Sequence, residues 1–405
     1  MSVEATRTSI VRERILTLLI SERTALSLAL LFIVLTVFPW RTLAAQQANR
    51  APESIAAASR TSAARDLELD FGKGTAFRDS EGPVHFGFGP LSVIRRSELR
   101  WVVLAGHEIH AFDSGGRLTL TLDQRGSGPG EYRSLYGGCA VQSDSIVVYD
   151  GSLRRFSLLA PDLKFHRTIE TDRSASLVAF SCLNRGQIVV ANSSASANRR
   201  LALEVSLLGA GPTGSSAIAR FDGGLASAVA RPVPSIVAWG EHIYVAAGVT
   251  NEIRDLTRSG VVRRIIRMPD EPAQISARSI DLLVERLMPL NASTTMRDNA
   301  VSRIRSAPLP THWPAHGRML SGDDGSIWIE DFRTPEDSSG FWTEYDADWK
   351  LVGRARIPVL SQRRRLDVLA FSRGHVLVWE RTAEGESRIV NYWLRRLWIR
   401  DVRRD

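Results

Sequence analysis

Three observations predict an all-β fold, a six-bladed β-propeller with one helical insertion. A compact apolar strand recurs along the chain, each copy is bounded by small or polar turn residues, and a helical period occurs in only one region. The recurring strand reads "SELRWVVLAG", "SDSIVVYDG", "NRGQIVVAN", "WGEHIYVAAG", "DDGSIWIED" and "SRGHVLVWE". Its first core positions are Trp101, Ile146, Ile188, Ile243, Ile327 and Val376, at intervals of 45, 42, 55, 84 and 49 residues. Most of these intervals suit one four-stranded blade.

The elements follow in chain order. Arg7, Arg12, Arg14 and Arg23 precede the apolar run Ala25 to Phe38, with small residues near Ala44 and Ala45. Residues 1–45 therefore read as a secretory signal peptide. The alternative is an uncleaved membrane tether through residues 25–38, although this run is shorter than the about 20 residues a span needs. Either way the remainder is expected outside the cytoplasm, periplasmic or secreted. Residues 46–63 are Ala/Ser/Gln-rich and aperiodic, a linker by composition.

The propeller is placed at 64–405. Leu67 to Phe71 ("LELDF") is the strand expected to complete the last blade, the alternative being a loose arm. Hairpins such as "IHAFD", "SGG", "RLTLTL" supply the outer strands, with the leucines of "RLTLTL" alternating onto one face. The long interval holds the helical insertion, 270–306, between the fourth and fifth blades. Ile280, Leu283, Val284 and Leu287 recur at helical spacing behind Ser276 or Ser279 as N-cap, and a second helix is expected over Thr294 to Ile304. The insertion reads either as a binding surface on one face of the ring or as a lid over apolar edges.

The 405 residues carry a net charge of +8, yet Lys73, Lys164 and Lys350 are the sole lysines among 52 basic residues. The arginines are scattered among acids rather than gathered on one face, which argues against a nucleic-acid partner.

The stretch "RGSGPGEY", Arg125 to Tyr132, raises the question of a phosphate loop. It lacks the lysine of a P-loop, and Gly126, Gly128 and Gly130 lead into a strand rather than a helix, so both nucleotide readings fall. It sits instead between the last strand of one blade and the first of the next. Here Gly126, Gly128, Pro129, Gly130, Glu131 and Tyr132 resemble the G-x-G-P-G-E/Q-aromatic crossing of NHL-like six-bladed β-propellers found in secreted bacterial families. "DDGSIWIED" is similar to that family's D-x-G-x-ω-x-V strand, and "GFWTEYDADWKLVGRARIP" (340–358) to its fifth blade. The resemblance implies a ring over about residues 67–395, with Glu131 accepting backbone hydrogen bonds at the crossing. "GAGPTG" (209–214) keeps only Gly209, Gly211 and Pro212 of that pattern.

Candidate chemistry is sparse. His107 and His110 in "HEIH" point to opposite faces of a strand, which disfavours a metal pair. His312, Trp313, His316 and Trp342 are candidate ligand-binding residues near the central opening, the alternative being that Trp313 and Pro314 anchor the insertion. Asp323, Asp324, Glu330 and Asp331 flank a strand in a position where related propellers sometimes bind calcium, but an Asp-Gly turn explains the first two without an ion. No nucleophile elbow stands out. Cys139 and Cys182 each fall on an inner strand, 43 residues apart; free buried thiols are favoured over a disulfide between adjacent blades.

Function is expected to be non-catalytic: an envelope or secreted scaffold holding a protein, peptide or glycan on the face that carries the insertion. The alternatives are a metal-dependent hydrolase or lyase acting at the axis, and a membrane-tethered sensor domain.

Overall fold

The computed structural model describes residues 52–57, 65–86, 91–96, 100–172, 175–183, 186–196, 200–209, 215–225, 232–287, 293–306, 309–337, 339–358, 364–372, 374–382 and 386–396. The apolar run 25–38 and the small residues after it lie outside these. Among the described residues no helix is long and apolar enough to cross a membrane.

Two strands, β1 (Glu53–Ala56) and β2 (Arg65–Ala76), precede the first sheet. That sheet holds β3 (Leu91–Arg95), β4 (Trp101–Ala105), β5 (Glu108–Phe112) and β6 (Leu118–Asp123) as antiparallel neighbours in chain order. The second repeats the plan with β7 (Leu135–Ala140), β8 (Ile146–Asp150), β9 (Arg155–Leu159) and β10 (Phe165–Glu170). The third has β11 (Ser176–Cys182), β12 (Ile188–Ala195), β13 (Arg200–Leu208) and β14 (Ser215–Leu225). The fourth has β15 (Ser235–Trp239), β16 (His242–Ala246), β17 (Glu252–Leu256) and β18 (Val262–Arg267), and β1 adds to its outer edge parallel to β18. The stretch read as a linker by composition thus contains a paired strand. "ESIA" pairs by backbone hydrogen bonds and has little apolar patterning to betray it.

Helices α1 (Ala277–Leu287) and α2 (Thr294–Ser306) follow. Ser276 Oγ accepts from Ser279 N at 3.0 Å while Ser279 Oγ accepts from Ser276 N at 2.9 Å, a reciprocal cap that makes Ser276 the N-cap of α1. Ile280 and Val284 form its buried stripe.

The fifth sheet is eight-stranded. It joins β19 (Met319–Ser321), β20 (Ile327–Glu330), β21 (Ser339–Tyr345) and β22 (Leu351–Pro358) to β23 (Arg364–Ser372), β24 (His375–Thr382) and β25 (Ser387–Arg396). The join is β2, which runs parallel to β22 through Arg65–Glu68 and antiparallel to β25 from Leu67 to Ala76. "LELDF" therefore does more than complete one sheet. The two halves of this sheet face each other across Trp328, Trp342, Ala355, Val368, Phe371 and Val390.

The first strands of these units, β3, β7, β11, β15, β19 and β23, lie side by side in that order, and β23 returns to β3. This closed ring of radiating antiparallel sheets is a β-propeller. Its cores lie between successive sheets, for example Ile94, Leu104 and Ile109 against Tyr132, Leu135 and Val148. The repeat positions Trp101, Ile146, Ile188, Ile243, Ile327 and Val376 are all buried at or next to the start of each second strand. Each must be apolar because both faces of that strand are covered.

"RGSGPGEY" forms the passage from β6 to the second sheet. Glu131 Oε2 accepts from Ser127 N and Gly128 N, both at 2.8 Å, and a Cβ at Gly126 would sit 2.0 Å from that oxygen. Gly130 has φ +78° and lies against Phe165 of β10. Arg155 of β9 donates to the carbonyls of Gly128 and Glu131, and Tyr132 is fully buried. The next turn is built on Asp150, whose carboxylate accepts from the backbone N–H groups of Arg133, Ser134, Ser152 and Leu153.

Candidate functional site

The ring encloses an axial cavity of about 770 Å³, walled by β3, β7, β11, β15, β19 and β23. Because these strands run in one direction around the ring, their final residues share one mouth: Arg95 and Arg96, Trp239, and Gly322 and Asp323. The insertion joins the ring at the opposite end, where β19 begins and Met319 N donates to Ser235 Oγ at 3.0 Å. The polar mouth and the insertion are therefore on different faces.

Backbone-to-side-chain bonds stitch the wall. Ser181 Oγ of β11 accepts from Ala238 N of β15 at 3.0 Å. Cys139 of β7 and Cys182 of β11 are joined by a disulfide that lines the cavity, their Cα atoms 5.7 Å apart. This corrects the preference for free thiols: one blade interval of sequence brings both residues to the same height on adjacent strands, inside bonding range.

At the mouth Arg95 Nη1 lies 2.5 Å from Asp323 Oδ2, which also accepts from Ser372 Oγ at 3.2 Å, so one carboxylate ties β3, β19 and β23. Arg96 donates to the Pro161 carbonyl at 2.6 Å and lies 3.9 Å from Asp144. Burial lowers its pKa, opposed by Asp144. Trp239 is 41% exposed, with its indole over Gly325, where a Cβ would stand 2.8 Å from Nε1. Arg95 held by Asp323, the buried Arg96 held by Asp144 and the Pro161 carbonyl, and the exposed Trp239 indole make up the mouth, above a disulfide-bearing wall that mixes apolar and polar residues. The exposed indole of Trp239 can stack on a flat ring.

The residues singled out by sequence lie elsewhere. None of His312, Trp313, His316 and Trp342 lines the cavity. Trp313 is buried, stacks on Phe332 with ring centroids 5.8 Å apart, and its N–H bonds the Ala273 carbonyl, so it ties the insertion to the ring. Trp342 packs between the halves of the eight-stranded sheet, 5.2 Å from Phe371, with Arg318 over its face. His312 is exposed and hydrogen-bonds Thr311. His316 is 2% exposed, its Nδ1 paired with the Gly317 carbonyl, and burial lowers its pKa. Large aromatics near a ring opening are wanted by the core first, which is why spacing in sequence misplaced them.

The carboxylates considered for calcium do not form a shared donor set. Asp323 pairs with Arg95, Asp324 Oδ1 accepts from Ser326 N, Glu330 pairs with Arg318, and Asp331 pairs with Arg354. Sequence reasoning passed over Arg95, Arg96 and Trp239. The signal was available: a double arginine and an indole terminate apolar inner strands, where the pattern calls for turn residues.

No family model matches the chain, and no curated protein matches it. Among solved structures it is similar to a member of the DUF4221 family from Bacteroides vulgatus, at 10% identity and TM-score 0.49 over 82% of this chain and 99% of that one. A candidate exported protein from Bacteroides fragilis gives 12% identity and TM-score 0.48 over 86% and 100%. A gluconolactonase from Xanthomonas campestris gives 13% and 0.44 over 84% and 94%.

Proposed function

We propose that the chain is a six-bladed propeller, exported from the cytoplasm, that holds a protein, peptide or glycan ligand at its axial mouth without transforming it. On this reading the eight-stranded sheet is two blades fused through β2. The NHL-like resemblance of the crossing motif and the six inner strands support that count. The basic, apolar N-terminus supports export, as does a disulfide, which persists in oxidising compartments.

The observation that carries the binding reading is the composition of the cavity. Its lining mixes apolar side chains with Ser181 and Ser321, its mouth presents Arg95 and the exposed Trp239, and its one lining carboxylate among the described residues, Asp323, is engaged by Arg95. A hydrolase or lyase at the axis needs several converging donors or a nucleophile beside a base, and the described lining supplies neither set. The test is a peptide and glycan array probed with the purified ring and with Trp239→Ala. Ligands retained by the first and lost by the second support the reading. Turnover of a lactone or peptide panel that survives Trp239→Ala but stops on chelation overturns it in favour of metal-dependent catalysis.

A further inference from the structure

We propose that His107, Glu108 and Asp123 form a binding site for one divalent transition-metal ion of the zinc class, outside the axial cavity. The turn between β4 and β5 presents His107, Glu108 opens β5, and Asp123 closes β6, and none of the three lines the cavity. One ligand atom from each lies within 4.8 Å of the others. His107 Nε2 is 3.2 Å from Asp123 Oδ1. Ligands at about 2.1 Å from zinc in tetrahedral array are about 3.4 Å apart, so small rotations bring all three donors onto one ion.

The register supplies an independent argument. Glu108 and Asp123 are directly opposed cross-strand partners. Like charges in that relation repel. Here the neighbouring side chains that answer them are two imidazoles: His107 facing Asp123, and His110, whose Nε2 is 3.1 Å from Glu108 Oε2 and whose Nδ1 is 3.1 Å from Thr121 Oγ1. A dication between the carboxylates converts the repulsion into attraction. The imidazole donor favours zinc, nickel or copper over calcium or magnesium, which prefer oxygen. His110 behind Glu108 is placed as ligating carboxylates require, fixing its orientation from outside the coordination sphere. All three donors are solvent-accessible, at 30%, 39% and 61% side-chain exposure for His107, Glu108 and Asp123. Three protein donors leave a position open for water or a ligand atom.

The test is calorimetric titration of the chelator-treated chain with zinc chloride, beside thermal melts with and without zinc. The expected result is one saturable equivalent that raises the melting temperature. His107→Gln on the β4–β5 turn and Asp123→Asn at the exposed end of β6 should each weaken binding by about tenfold or more and abolish that rise. His110→Gln leaves the three donors and should keep the stoichiometry. Absence of saturable binding overturns the proposal. So does binding of undiminished affinity in both ligand variants, or loss in His110→Gln with retention in His107→Gln. If one ligand variant fails to melt cooperatively, the other decides.

Discussion

Cys139 and Cys182 bond β7 to β11 on the wall of the axial cavity, joining the first strands of two neighbouring sheets. The link closes a loop of 43 residues that contains the rest of the second sheet. Replacing both cysteines by alanine should lower stability by about 2–4 kcal/mol, mainly by freeing the unfolded chain. Denaturant midpoints of the oxidised protein and the double variant measure this, and coincident midpoints would refute it.

Gly130 adopts φ +78° with its missing Cβ directed at Phe165, 2.9 Å from that residue's Cβ. Gly130→Ala should cost about 1–3 kcal/mol, because a strained backbone and a clash coincide. Glu131→Ala should cost less, about 0.5–1.5 kcal/mol, because the N–H groups of Ser127 and Gly128 that it releases are exposed to water. Equilibrium unfolding reads both, and stability within error of the parent would remove the crossing's structural role.

His316 is buried as the neutral imidazole, and burial lowers its pKa below the unfolded value of about 6.5. Above that pH neither state is protonated and the contribution to stability is intact. As pH falls below it the unfolded chain takes up the proton first, so stability declines until the folded pKa is passed. His110 and His375 are shifted in the same direction by burial. Melting temperature should therefore drop from pH 7 to pH 5, and His316→Gln should flatten the slope by up to about 1.4 kcal/mol per pH unit. A parallel slope in that variant would assign the effect to other groups.

Removal of residues 1–57 takes away β1, an added edge strand, and should leave cooperative unfolding in place. Removal of residues 1–76 also takes β2, with the buried Leu69 and the pairing to both β22 and β25. That truncation should lose the cooperative transition. Circular dichroism melts distinguish the two, and a cooperative melt after the longer deletion would show that β2 is dispensable.

The repeat was readable because one strand in each unit is covered on both faces and leaves an unbroken apolar run, as at residues 146–149 and 327–329. The crossing was readable because its glycines and Glu131 are demanded locally. The basic and apolar N-terminal segment lies outside the described residues, so no geometry bears on it. What sequence concealed depends on distance through space. Trp313 and Trp342 were claimed by packing, the height match of Cys139 and Cys182 depends on blade register, and "ESIA" is placed by pairing with β18, 213 residues away at Ser54–Arg267. Asp150 and Asp255, both 1% exposed, carry no mark in composition that separates them from turn aspartates.

β2 reaches its partner β25 only after nearly the whole chain has been made. Glu68 and Arg395, which pair across that seam, stand 327 residues apart. Contacts of such separation form late, because the loop they close must be ordered first. An N-terminal half emerging alone has no seam to close, so it stays open while synthesis continues. The circle is therefore closed last at the β2–β25 edge, once the end of the chain is available to pair.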